Sequence, residues 1–233
     1  MDNCRDRIRG IGKYKKSLNK LSITIMDTIQ GYKNRALASL SGRWDKAVVA
    51  MLIVFVILGV VGNAITLPFG AEGVAGQSLS TLWTLLCLPL SWAASVFFLR
   101  ISRSEEVDYG QLFEAFRGWD EYLRIFLTEL LKGLYTFLWT LLLIVPGIIK
   151  SYSYSMTDFI LKDEPELKYD AAIERSMQMM KGHKADLFWL DLSFIGWILL
   201  SILTFCIGFL LLAPYIETAH AKFYEDLKAQ ETA

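Results

Sequence analysis

Four long apolar blocks constrain this 233-residue chain more than any other feature of its sequence. They lie at about residues 47–69, 79–99, 123–149 and 187–215. Each is long enough to supply the ~20 apolar residues with which a helix crosses a hydrocarbon core of ~30 Å. A soluble domain would instead space its apolar residues at helical or strand intervals. Together with an apolar fraction of 54%, the blocks indicate a polytopic integral membrane protein.

The distribution of Lys and Arg predicts the topology, because cytoplasmic loops carry the excess of these residues. The N-terminal arm, 1–46, is basic, the loop Gly70–Ser78 contains neither Lys nor Arg, and residues 100–124 contain four Arg. If 123–149 crossed the membrane once, segment 162–186 would lie outside, although it carries five Lys and Arg residues. This conflict predicts a further crossing within the third block.

Helix-breaking residues show where the further crossings begin. Pro146-Gly147 stops a helix and permits a tight turn, and Thr204–Gly208 offers a second turn in the fourth block. We therefore predict an all-α transmembrane bundle of six spans arranged as three antiparallel hairpins, with four spans as the alternative. The predicted spans are about 47–69, 79–99, 123–145, 148–162, 187–203 and 208–224, followed by a short tail at 229–233.

Segment 166–185 reads as a cytoplasmic amphipathic helix, with Pro165 in its first turn and Gly182 at its end. We expect it to lie along the membrane interface, with its basic residues near anionic headgroups; docking of a protein partner is the alternative. Its predicted interface residues are Ile173, Arg175, Met177, Met180, Lys181, His183 and Lys184. The basic arm with its juxtamembrane helix is interpreted as a topology determinant attracted to lipid, and nucleic acid is not an expected partner.

Polar residues inside the predicted spans form the candidate site, because a charge at the centre of a bilayer costs roughly 2.5–3.5 kcal/mol on insertion scales. The candidates are Glu129, Lys132, Tyr152, Tyr154, Asp158 and Asp191. Glu129 and Lys132 are three residues apart and hence share one helix face. Two interpretations stay open: a polar cavity along a transport path, or neutralised charges and hydrogen bonds that hold helices together.

Specific strings connect the chain to a known family. Residues 142–154 read LLIVPGIIKSYSY, and residues 179–184 read MMKGHK. They resemble the bacterial integral-membrane family called domain of unknown function 975, and the resemblance extends over about residues 33–228. That family is distantly similar to the membrane domain found beside some glycerophosphodiester phosphodiesterases. The resemblance implies a helical membrane fold and brings no catalytic or ligand-binding residue with it.

No pattern of catalytic residues is visible in the sequence. It contains no Gly-rich phosphate loop, nucleophile elbow or His-Glu-x-x-His motif, and Cys4, Cys87 and Cys206 lie far apart. We therefore expect no enzymatic activity, metal or cofactor. The favoured function is a bundle in the bacterial inner membrane, with both termini cytoplasmic, that organises lipid, partner proteins or further copies of itself. A small transporter or channel is the alternative, and a membrane-embedded lipid enzyme is the second alternative.

Overall fold

The computed structural model describes residues 28–69, 73–203 and 207–232. These residues form helices joined by short turns and loops, and no β-strand occurs among them. The predicted all-α fold is therefore confirmed. Residues 1–27 of the predicted basic arm lie outside the described residues. So do 70–72 and 204–206, which belong to two of the predicted turns.

The helical elements follow one another closely along the chain. They are α1 (28–40), α2 (Trp44–Phe55), α3 (Gly62–Thr66), α4 (Val74–Leu86), α5 (Leu88–Ser102), α6 (Trp119–Leu142), α7 (Ile144–Tyr154), α8 (Thr157–Asp163), α9 (Asp170–Met179), α10 (Lys184–Leu192), α11 (Ile195–Leu203) and α12 (Ile207–Thr232). A π-helical segment, Val56–Val61, joins α2 to α3, and 3₁₀ helices cover Leu67–Phe69 and Tyr109–Phe116.

Four helical stretches are long and apolar enough to cross a membrane. They are Trp44–Thr66, Val74–Ser102, Trp119–Leu142 and Lys184–Leu203. Most of their residues are not buried inside the bundle, except in Val74–Ser102, where about half are. Apolar residues on helices of this length suit a hydrocarbon surrounding, which agrees with a membrane protein. This number matches the four-span alternative, and the six-span arrangement stays a prediction.

The chain reverses direction between α6 and α7. Leu143 adopts an extended conformation (φ −159°, ψ 136°) between the two helices. Beyond it, the Lys150 ammonium lies 4.9 Å from the centre of the Trp139 ring, and the rings of Tyr135 and Tyr154 are 6.5 Å apart. In these contacts the residue numbers decrease along α6 as they increase along α7, so the two helices are antiparallel.

The position of this turn differs from the predicted one. Pro146-Gly147 does not form the turn, which lies at Leu143 instead. Pro146 lies in the first turn of α7, where its missing N–H is not required by the helix. Gly147 is needed for packing, because a Cβ atom there would lie only 2.7 Å from Cα of Thr140 and would also meet its hydroxyl. The glycine therefore lets the two helices approach closely.

A second reversal joins α11 to α12 and repeats this geometry. A Cβ atom on Gly208 would lie 2.9 Å from Cα of Ser201, so a hydroxyl residue again faces a glycine seven positions later. The rings of Phe194 and Tyr215 are 5.0 Å apart, further from the turn. Thus α12 runs back antiparallel to α11.

The predicted amphipathic helix 166–185 is shorter in the structure and packs differently. Helix α9 begins only after Tyr169, whose φ of 51° interrupts any helix, and Gly182, with φ 95°, lies beyond its end. Pro165 consequently precedes the helix. Ile173 and Met180 are buried in the protein core. The apolar face of α9 therefore packs against helices α6, α7 and α8 of the bundle and does not face lipid.

An ion-pair network ties three elements together at the end of the bundle away from the Leu143 turn. The Asp163 carboxylate accepts hydrogen bonds from Arg103 at 2.8 and 2.6 Å, from Lys228 at 2.5 Å and from the Tyr224 hydroxyl at 3.0 Å. Burial alone would raise the pKa of Asp163, but these donors outweigh it and lower the pKa to about 2. Asp163 is thus a permanent anion that connects α8 with the end of α5 and with α12.

The close approach at Gly147 can be tested by adding one methyl group. Gly147→Ala is expected to lower the free energy of unfolding by about 1–3 kcal/mol, because the new Cβ collides with Thr140. The matched control is Gly133→Ala in α6, where a Cβ meets nothing within 4 Å and helix propensity favours Ala. Thermal unfolding in mild detergent measures both. Equal stability of the two variants would contradict the described packing.

Candidate functional site

The Lys132 ammonium lies halfway along α6, between two carboxylates. Its Nζ is 2.8 Å from Oε1 of Glu129 and 2.5 Å from Oδ1 of Asp158. Glu129 comes from the same face of α6, and Asp158 comes from α8 across the hairpin. The two carboxylate side chains are only 5% and 15% exposed. The structure thus brings three of the predicted candidates together, and Lys132, Glu129 and Asp158 are called the Lys132 group below.

A second polar group, the Asp191 group, consists of Asp191, His220 and Tyr152. Oδ1 of Asp191 lies 2.6 Å from Nε2 of His220, and its Oδ2 accepts a hydrogen bond of 3.0 Å from the Tyr152 hydroxyl. These side chains come from α10, α12 and α7, so the group links the two reversals of the chain. Tyr154 does not join it, because its ring lies against Tyr135.

A cavity of about 560 Å³ connects the two groups. Its wall contains the whole Lys132 group, together with His220 from the Asp191 group and Glu217 from α12. Hydroxyl groups line the rest of its polar surface, from Ser95, Thr136, Thr140, Ser151, Tyr154 and Ser155. The cavity therefore extends along the α6–α7 hairpin from near the Leu143 turn to the middle of α6, and it is open to the surroundings at exposed residues such as Phe137.

Sequence reasoning missed two functional candidates on α12, Glu217 and His220. The Glu217 carboxylate accepts a hydrogen bond of 3.4 Å from Ser95, and His220 binds Asp191. A signal for both was present, since they are three residues apart inside the predicted span 208–224 and hence share a helix face. His183, by contrast, lies at the surface, 3.4 Å from Asp186.

Carboxyl groups outnumber cationic groups around the cavity. Glu129, Asp158 and Glu217 line it with three carboxyl groups, whereas Lys132 and a protonated His220 supply at most two cations. Where water is scarce, an excess of one sign attracts the opposite charge strongly. Within the described residues, no three His, Cys, Asp or Glu side chains are placed to hold a metal ion. The excess of carboxyl groups favours a positively charged ligand.

Comparison with known proteins places the chain in a family. The family described as "Protein of unknown function (DUF975)" matches residues 26–150 and 141–231. The chain belongs to this family. The two matches overlap at 141–150, the segment that contains the Leu143 turn. No curated protein and no solved structure matches this family member, so its activity has to be inferred from its own site.

The neutralising role of Lys132 predicts a large effect of its removal. Lys132→Met leaves Glu129 and Asp158 facing each other without a cation, so the free energy of unfolding should fall by about 3–5 kcal/mol. Adding Glu129→Gln and Asp158→Asn to that variant should recover most of the loss. Unfolding in mild detergent reports both values.

Lys150→Met is the matched control, since Lys150 lies over the Trp139 ring and has no carboxylate within ion-pair distance among the described residues. Its expected loss is about 0.5–1 kcal/mol. If it cost as much as Lys132→Met, or if the triple variant were no more stable than Lys132→Met, the Lys132 group would not carry the buried charge balance.

Proposed function

We propose that this family member crosses the bacterial inner membrane six times, with both termini in the cytoplasm, and transports a small organic cation through its polar cavity. The observation that carries the transport role is the excess of carboxylates around a cavity halfway along α6.

The six-span topology is supported by the length of the return segments. Residues 144–163, which form α7 and α8, run back along α6. Asp158 contacts Lys132, and further along, the Leu161 carbonyl accepts a hydrogen bond of 3.2 Å from the Arg124 guanidinium near the start of α6. At 1.5 Å per residue these 20 positions extend over ~30 Å, the thickness of a hydrocarbon core. Six spans also return the basic segment 162–186 to the cytoplasm, as the positive-inside rule requires.

Thiol labelling in intact cells distinguishes six spans from four. In a background with Cys4→Ser, Cys87→Ala and Cys206→Ser, a cysteine is introduced at Glu174, which is exposed on α9. A membrane-impermeant maleimide is expected to modify Glu174→Cys only after the cells are permeabilised, because six spans place α9 in the cytoplasm.

The matched control is Gln77→Cys in α4, which is exposed and which both topologies place near the outer surface. It should react in intact cells. Modification of Glu174→Cys to the same extent in intact cells would establish four spans and overturn the proposed topology.

Organic cations suit the cavity in size as well as in charge. Small-molecule sites typically enclose about 300–1,000 Å³, and this cavity of about 560 Å³ lies within that range. Phe137, Tyr154 and Phe159 contribute aromatic rings to its wall, and such rings attract cations. Carboxylates can neutralise an ammonium group while the hydroxyls accept its remaining hydrogen bonds.

The organiser role, which the sequence favoured, has less support in the described surface. Its expected docking element was the helix at 166–185, yet Ile173 of α9 and Met180, directly after α9, are buried within the bundle. Arg175 is engaged by Glu231 at 2.6 Å and by Glu164 at 3.5 Å. The lipid-enzyme alternative and the distant similarity to phosphodiesterase membrane domains stay predictions.

Binding of putrescine, a small diamine, tests the cation proposal. The chain in lipid nanodiscs should bind putrescine in preference to 1,4-butanediol, an uncharged molecule of the same length. Glu217→Gln should weaken putrescine binding about tenfold or more, because it removes a charged acceptor from the cavity wall. Uptake into proteoliposomes should fall in parallel.

Glu174→Gln is the matched control, since this exposed carboxylate of α9 lies away from the cavity. It should bind putrescine like the unmodified chain. Equal affinity for diamine and diol, or equal losses in the two variants, would contradict a cation site. Recovery of a stoichiometric protein partner without any uptake would instead support the organiser role.

A further inference from the structure

A separate apolar groove lies beside α12, on the side of this helix that faces away from the α6–α7 hairpin and the polar cavity. It encloses about 560 Å³ between α1, the start of α2, α11 and α12. Its wall is formed mainly by apolar and aromatic side chains, among them Leu37, Trp44, Trp197, Leu200, Leu211 and Leu212. Several of these side chains are at least 40% exposed, so the groove is accessible from the surroundings of the bundle.

Lys33 supplies a cation at one end of this groove. Its ammonium donates to the Ser193 carbonyl at 2.8 Å and lies 4.3 Å from the centre of the Phe194 ring. Among the described residues, no carboxylate is within ion-pair distance of it, and burial lowers the pKa of Lys33. An ammonium has three donors, so it can still donate toward a ligand in the groove. Its positive charge is thus left without a countercharge.

The groove runs parallel to α11 away from Lys33. Ser193 marks the level of the ammonium, and Ser201 lies at the far end of the lining. These eight residues correspond to ~12 Å along a helix, close to half of a ~30 Å hydrocarbon core. A groove of that length, apolar along its course and cationic at one end, matches a lipid in one leaflet.

We propose that this groove binds an anionic phospholipid, with an acyl chain along Leu37, Trp197 and Leu211 and the headgroup phosphate on Lys33. Charge complementarity favours this occupant over a second copy of the chain, since a phosphate supplies the countercharge that Lys33 lacks and an acyl chain suits the apolar lining. The site is independent of the cation cavity, from which its lining residues are distinct.

Native mass spectrometry of the full chain tests the proposal. The protein in mild detergent is mixed with equal amounts of phosphatidylglycerol and phosphatidylcholine that carry identical acyl chains. The unmodified chain should retain phosphatidylglycerol about tenfold over phosphatidylcholine. Lys33→Met should abolish this preference. Leu37→Trp, which fills the groove and leaves Lys33 in place, should reduce retention of both lipids.

Lys46→Met is the matched control, because Lys46 also donates to a backbone carbonyl, that of Val107 at 3.2 Å, but lies outside the groove. It should retain phosphatidylglycerol like the unmodified chain. Equal loss in the Lys33 and Lys46 variants would show general surface attraction and overturn the proposal. Retention of both lipids equally by the unmodified chain would do the same, as would a dimer that retains no lipid.

Discussion

The Lys132 ammonium between Glu129 and Asp158 is the interaction on which the centre of the bundle depends. An isolated charge would be costly in lipid, whereas one ion pair within α6, to Glu129, and one between α6 and α8, to Asp158, offset that cost. The contact between Lys132 and Asp158 also holds α8 against α6. Because the return segment is fixed in this way, its hydroxyl side chains face a common space, and the polar cavity lies there.

The two close helix reversals give this arrangement its geometry. At each, a glycine meets a hydroxyl residue seven positions earlier, Thr140 with Gly147 and Ser201 with Gly208. Small residues allow helix backbones to approach, which replaces the hydrophobic driving force that is absent between helices in lipid. The cavity lies between the α6–α7 hairpin, α8 and α12. At the far end, Asp163 ties α5, α8 and α12 together.

Two cavities of opposite character lie on either side of α12. The polar cavity has an excess of carboxyl groups, whereas the groove beside α1 is apolar and has the Lys33 ammonium at one end. The proposed cation and the proposed anionic phospholipid correspond to these two linings. Both lie against α12, through Glu217 and His220 on one side and through Leu211 and Leu212 on the other.

The sequence by itself determined the membrane class, the helical fold, a break in the third apolar block, although not its position at Leu143, and the pairing of Glu129 with Lys132. All of these depend on local properties: the length of apolar runs, backbone restrictions at proline, and the spacing of side chains on one helix. Only the tertiary structure decided that Asp158 completes the Lys132 group, that His220 binds Asp191, and that Ile173 of α9 is buried. These contacts depend on how each helix is rotated and packed against partners distant in the chain, which no local pattern specifies.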